Sequence, residues 1–224
     1  MKNIAIIPAR GGSKRLPNKN ILDLGGLPLL VHSIKYAQAN NAIIDAVYVS
    51  TDDEKIKEVA LHYGAQVINR PDTISGDLEP TITSLQHALS VIDSTIENVI
   101  LLQPTNPLRP ENLLKECFEK FENTNCDSLF TVSSNQHKLG KIVDEKFIPF
   151  NYEIGQRSQD LDSLYFENGL IYITKASCIH SGNIISENAL PIVIDHVFSK
   201  IDIDTQEDLE YAEYLLEKTL NEYK

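Results

Sequence analysis

Short apolar runs alternate along this chain with stretches of helical periodicity. Asn3–Pro8 is continuous, rich in isoleucine and ended by proline, which predicts a strand buried on both faces. Leu29–Ala39 follows with helical spacing, and Ala46–Thr51 predicts a second strand. Thr51 with Glu54 three residues on reads as a capping box for a helix over Asp53–Tyr63, and Gly64 fits the position just past its end. A short strand is expected at Gln66–Ile68, a helix at Thr81–Ile92, a strand at Asn98–Leu102, a helix at Pro110–Glu122 and a strand at Ser128–Val132. The pattern weakens from Gln136 to Leu164 and returns at Gly169–Thr174 and Lys200–Asp204. A helix over Gln206–Leu220 closes the chain, with Leu209, Ala212, Leu215, Leu216 and Leu220 on one face and Thr205 and Asp208 at its cap.

This alternation predicts an α/β fold: a mainly parallel sheet with helices on both faces, in one domain spanning residues 1–224. The irregular segment reads as a small inserted β-rich arm at about 136–164, used for dimerisation. In such sheets ligands bind at the carboxyl ends of the strands. The loop after the first strand, Asp52 and Asp53 after the second, and Gln103–Arg109 after the Asn98–Leu102 strand should therefore meet at one edge.

Composition and charge narrow the class. No apolar run approaches the ~20 residues needed to cross a bilayer, so no membrane role is expected and the chain reads as cytoplasmic. Cys117, Cys126 and Cys178 are scattered and odd in number, which points to buried reduced thiols rather than disulfides or a zinc site. The net charge of −12 argues against a nucleic-acid surface. The first 22 residues nonetheless carry +5 and no acid, leaving −17 for the rest. A short basic segment on an acidic body suits a small polyanion.

That segment is Pro8-Ala-Arg-Gly-Gly-Ser-Lys-Arg-Leu-Pro-Asn-Lys-Asn20. Its paired glycines remove bulk and permit positive φ, so backbone N–H groups can face a phosphate. Arg10, Lys14 and Lys19 supply charge against a triphosphate or leaving pyrophosphate. The spacing is neither a Walker A loop nor a GxGxxG dinucleotide loop. In Ile201-Asp202-Ile203-Asp204, extended alternation puts both carboxylates on one face. Paired carboxylates repel unless a cation separates them, and they suit Mg²⁺ completed by waters and substrate phosphates.

The thirteen-residue string resembles the N-terminal signature of the CMP-sialic acid synthetases, the acylneuraminate cytidylyltransferases. Four further segments resemble that family in order: Ser50-Thr-Asp-Asp-Glu54; Gln103-Pro-Thr-Asn-Pro-Leu-Arg109, with Asn106 where serine is common; Glu167-Asn-Gly-Leu-Ile-Tyr-Ile173; and Ile201–Thr205 followed by Glu207-Asp-Leu. The resemblance spans nearly the whole chain. It implies a Rossmann-like nucleotidyltransferase fold, a homodimer, and transfer of CMP from CTP to the anomeric hydroxyl of an acidic nine-carbon sugar, with pyrophosphate leaving.

Residue by residue, the resemblance implies Arg10, Lys14, Lys19, Asp202 and Asp204 as the catalytic set, with Mg²⁺ or Mn²⁺ held by the two acids. It implies nucleotide contacts from Ala9, Arg10, Gly11, Gly12, Ser13, Lys14, Asn20, Arg70 and Thr81. It implies sugar contacts from Gln103, Arg157, Asn168 and Tyr172. Lys138 or Lys141 is a further sugar-side candidate. Glu79 and Pro80 depart from the family's nucleotide-side pattern. Asn183–Glu187 lacks the paired phenylalanines of one bacterial branch, which hints at legionaminic or pseudaminic acid as acceptor. Rival readings are a cytidylyltransferase for the eight-carbon sugar KDO, suggested by Arg15-Leu16-Pro17, a sugar 1-phosphate nucleotidyltransferase, and a non-catalytic nucleotide-binding protein.

Overall fold

The computed structural model describes residues 2–222, with side chains through residue 219. Eleven strands and six helices follow in chain order: β1 (Lys2–Pro8), β2 (Asp23–Leu24), β3 (Leu27–Pro28), α1 (Leu29–Ala39), β4 (Ala46–Thr51), α2 (Glu54–His62), β5 (Gln66–Asn69), α3 (Thr81–Val91) and β6 (Ile96–Leu101). Then come α4 (Leu113–Asn123), β7 (Ser128–Asn135), β8 (Gly140–Val143), β9 (Lys146–Pro149), β10 (Leu164–Lys175), α5 (Ala176–His180), β11 (Ala189–Val193) and α6 (Gln206–Glu222).

Seven strands form one sheet in the order β11-β7-β10-β6-β1-β4-β5. β1 pairs in parallel with β4 and β6, β4 with β5, and β7 with β11. β10 alone runs against its neighbours β6 and β7. The mainly parallel sheet is thus present with one reversed strand. Its centre is buried on both faces for the reason legible in β1. Ala5 and Ile7 pack under α1, α2 and α4, while Ile4 and Ile6 pack with Leu85 of α3 and Ile179 of α5. A third cluster joins Leu209, Ala212 and Leu215 of α6 to Ile201, Ile203, Leu24 and Leu108. The side chain of Leu220, assigned above to that apolar face, lies outside the described residues.

Four expectations need correction. Lys200–Asp204 joins no sheet: Lys200 ends a 3₁₀ turn, Ile201 is extended, and residues 201–204 pair with no strand. Their alternation comes from burial of Ile201 and Ile203 against α6, not from a strand ladder. The cap of α2 is Asp53, whose Oδ1 accepts from the Ile56 N–H at 2.9 Å, while Thr51 Oγ1 accepts from the Asp53 N–H. An aspartate nearer the first turn displaces threonine from that role. Residues 110–112 form a turn before α4 rather than its start. Cys117 and Cys126 are buried, but Cys178 is only half-buried.

Other ends follow the sequence closely. At Gly64, with φ of 80°, the Gly64 N–H donates to Leu61 O and the Ala65 N–H to Ala60 O, which closes α2 in a Schellman turn. Thr205 and Asp208 cap α6 reciprocally, with bonds of 2.8 to 3.3 Å. The arm is a two-stranded hairpin, β8–β9, carried on extended β7 and β10.

Candidate active site

The carboxyl ends of β1, β4 and β6 face one cleft, together with the bulge in β10. Two cavities of about 430 and 230 Å³ adjoin there, sharing Pro8, Arg10, Asp77, Pro104 and Thr105. A third, of about 670 Å³, opens beside them and shares Gln103 with the smaller one. The loop after β6 therefore forms the wall common to all three.

The basic loop lines the 430 Å³ cavity through Arg10, Ser13, Lys14, Lys19 and Asn20. Its conformation differs from the expected one. Gly11 and Gly12 are not in the positive-φ region; Asn18, at φ of 56°, makes the left-handed turn. Gly11 is required by close approach, since a Cβ there would lie 2.7 Å from the Asp53 Cβ. Its N–H donates to Asp52 Oδ1 at 3.0 Å. Asn20, buried, donates to Arg10 O and ties the two ends of the loop together. Ala9 is buried beneath it, and its N–H continues the ladder to Ser50 O.

Two acids hold the loop's cations. Lys19 Nζ lies 2.8 Å from Asp204 Oδ1, and Arg15 lies 2.9 Å from Asp204 Oδ2. Arg10 lies 3.1 Å from Asp77 Oδ1, and Lys14 pairs with Asp77 Oδ2. The Lys14 ammonium, then Arg10, holds the Asp77 carboxyl below the usual carboxylate range. Asp77 was not singled out from the sequence, because an aspartate in a turn-rich loop carries no signal of its own.

The 230 Å³ cavity is lined by Arg70, Thr81, Glu79 and Gln103. Arg70 is buried, with Nε on Ser50 Oγ at 3.1 Å and a terminal nitrogen on Ser50 O at 2.6 Å. Burial lowers its pKa, and among the described residues it makes no ion pair. Ser50 thus orients the guanidinium edge, a role the sequence did not reveal.

The 670 Å³ cavity takes Gln103, Asn168, Tyr172, Glu167, Lys200 and Asp202. The Tyr172 hydroxyl donates to Glu167 Oε2 at 3.1 Å; burial, then Glu167, raises its pKa. The Asn168 amide is engaged by the protein: Oδ1 accepts from Thr131 Oγ1, and Nδ2 donates to Ser133 Oγ. It shapes the bulge at Gly169, whose φ is 73°. Arg157 lies in the arm, bonded to Asp160 at 2.7 and 3.0 Å, and lines none of these cavities. Lys138 bonds to Gln156 O within the arm.

Asp202 opens to the 670 Å³ cavity and Asp204 to the 430 Å³ cavity, so the pair straddles their boundary. Hard carboxylate oxygens suit Mg²⁺. Among the described residues no group of three or more His, Cys, Asp or Glu would hold a metal alone, so substrate oxygens would complete such a site. Behind the cleft, Arg109 is buried and has no carboxylate partner among the described residues. It donates to Leu170 O, Ser33 Oγ and Gln103 O, and lies 5.6 Å from the Tyr36 ring centroid. Burial lowers its pKa to about 10, which leaves it charged at neutral pH.

Comparison with known proteins finds relatives that match nearly the whole chain. A pseudaminic acid cytidylyltransferase of Campylobacter jejuni is 36% identical over 96% of this chain and 96% of its own. A CMP-N,N'-diacetyllegionaminic acid synthase of Legionella pneumophila is 34% identical over 97% of each. The solved structure of a CMP:2-keto-3-deoxy-manno-octonic acid synthetase shares the fold at 18% identity, with a TM-score of 0.72 over 98% of this chain and 100% of that one. No helix among the described residues is long and apolar enough to cross a membrane. The sequence profile described as cytidylyltransferase matches residues 4–224, and the chain belongs to that family.

Proposed function

We propose that this cytidylyltransferase joins CMP from CTP to the anomeric hydroxyl of a nonulosonic acid, a nine-carbon acidic sugar of the sialic, legionaminic or pseudaminic type. The observation that carries the reading is the position of Gln103, at the junction of the nucleotide-side cavity and the large cavity. A triphosphate in the basic-loop cavity and a sugar in the large one would meet beside Asp202 and Asp204.

The hydroxyl attacks the α-phosphate and gives up its proton to water, its oxygen forms the new P–O bond, and pyrophosphate leaves with the broken bond's electron pair. Arg10, Lys14 and Lys19 neutralise the triphosphate and the departing charge. Arg70, fixed by Ser50, presents planar donors toward the base. Gln103 and Tyr172 orient the sugar, and orientation removes much of the entropic barrier. Asp202 and Asp204 would hold Mg²⁺ or Mn²⁺, which neutralises phosphate charge and acidifies a bound hydroxyl. The three free thiols and the use of CTP support a cytoplasmic location. The exposed apolar hairpin supports a homodimer paired through the arm.

The deciding experiment incubates the protein with CTP, Mg²⁺ and separate acceptors: sialic, legionaminic and pseudaminic acids, KDO and a sugar 1-phosphate. A CMP-nonulosonate mass with matching pyrophosphate is expected. Transfer only to KDO or only to the sugar 1-phosphate rejects the reading.

A further inference from the structure

We propose that Asn106 is a positioning residue: its carboxamide sets the acid-bearing segment 201–204 against Gln103 and the Gly169 bulge. The proposal rests on the reaction described above. Asn106 is 2% exposed and lines the 670 Å³ cavity from the loop after β6. Its Nδ2 has two hydrogens, and both are used on segments distant in sequence. One bond reaches Asn168 O at 3.0 Å, the other Ile201 O at 2.6 Å. The Thr105 hydroxyl donates to its Oδ1, and its own N–H donates to Gln103 O at 3.2 Å. One side chain thus links three segments that bear Gln103, Asn168 and Asp202.

The segment 201–204 needs such a link because it belongs to no sheet. Among the described residues its bonds to the loop after β6 are the Ile203 N–H to Thr105 O, at 2.8 Å, and Ile201 O to Asn106, while Asp204 at its far end bonds Lys19 and Asp208. Burial of Ile201 and Ile203 supplies affinity for the core but not a register, because apolar contact is non-directional. The bulge is fitted to the same amide. A Cβ on Gly169 would collide with Asn106 Oδ1 and lie 2.9 Å from Gln103 Oε1. Asn106 therefore fixes where Asp202 stands relative to Gln103, without touching a reacting atom.

The test uses Asn106→Asp and Asn106→Ala in the full chain. Aspartate keeps the size but cannot donate to two carbonyl oxygens. Both variants should lose about 100-fold in kcat, the scale of a 1 Å misplacement, while KM for CTP stays within about threefold. Hydrogen exchange of the Ile203 amide should accelerate in both, with no substrate present. Gly169→Ala should cost less in the Asn106→Ala background than in the wild type, because the two residues share one space. If Asn106→Ala does not fold, Asn106→Asp and the exchange measurement decide alone. An unchanged kcat with unchanged Ile203 exchange overturns the proposal, as does an equal rise in KM and fall in kcat that follows loss of melting temperature. Wild-type protein that transfers CMP to no nonulosonic acid rejects the reaction instead, and the exchange result still tests the link.

Discussion

Asp204 and Asp77 each hold two cations of the basic loop, so half of the loop's charge is balanced internally at the place where a triphosphate would balance it. The two acids differ in what their loss should do. Lys19 is 12% exposed at its side chain and closes on Asp204, an acid of the proposed metal pair. Lys19→Ala should lower kcat by about 100-fold, on the scale of one lost charge-stabilising donor. The melting temperature should move by less than about 4 °C, because the fold's clusters do not include it. Loss of activity that tracks a collapsed melting temperature would reject the assignment. Asp204→Asn should also cost about 100-fold, and exhaustive EDTA should abolish turnover until Mg²⁺ or Mn²⁺ returns. Asp77 instead competes with substrate for Arg10 and Lys14. Asp77→Asn should lower KM for CTP, by no more than about fivefold since exposed pairs are weak. Its carboxyl is held below the usual range, so this contact persists at neutral pH and is lost only as pH falls through that lowered value. The difference in KM between wild type and Asp77→Asn should then stay constant down to about pH 5.

At the scale of elements, what was legible follows from local chemistry. β1, β4 and α1 were read within a residue of their ends, since a two-face apolar run and a helical stripe are properties of the segment itself. Gly64 and the Thr205–Asp208 cap were equally readable, because the bonding partners lie within five residues. The cap of α2 was misread because Thr51 and Asp53 both carry suitable oxygens, and only the backbone at Asp53, extended at φ of −110°, selects between them. Asp53→Ala should therefore destabilise the protein by about 1 kcal/mol in urea unfolding, and Glu54→Ala by much less. Equal costs would restore the capping box. β11 was missed because Pro191 interrupts its run; the strand sits at the sheet edge, where a missing N–H is tolerated. The segment 201–204 was mistaken for a strand because alternate burial produces the same pattern without a ladder. In the site, charged loop residues were legible from composition, whereas Ser50, Asp77 and Asn106 act through partners 20 to 95 residues away. No local pattern reports such pairs.

At the scale of the whole molecule, the arm is the feature one chain leaves unexplained. Ile142 is 78% exposed and Ile154 84%, with Phe147, Ile148 and Phe150 also open on or beside the same hairpin. An isolated two-stranded hairpin is marginal in water, and apolar surface of this kind usually marks an interface. A two-fold pair would bury each arm reciprocally. The large cavity adds a second reason. Its lining carries Glu167, Asp195 and Asp202 against Lys200, a poor balance for an acidic sugar. Arg157, Lys138 and Lys141 stand on the arm, away from their own chain's cavities. We expect a dimer by light scattering at micromolar concentration, in which Arg157 releases Asp160 and reaches the partner's sugar. The decisive measurement mixes two inactive variants, Asp204→Asn and Arg157→Ala, and allows subunits to exchange. If Arg157 acts across the interface, each mixed dimer holds one site with both lesions and one with neither, so activity returns. A fully active monomer refutes the pairing, and absence of regain after proven exchange places Arg157 in its own chain's site.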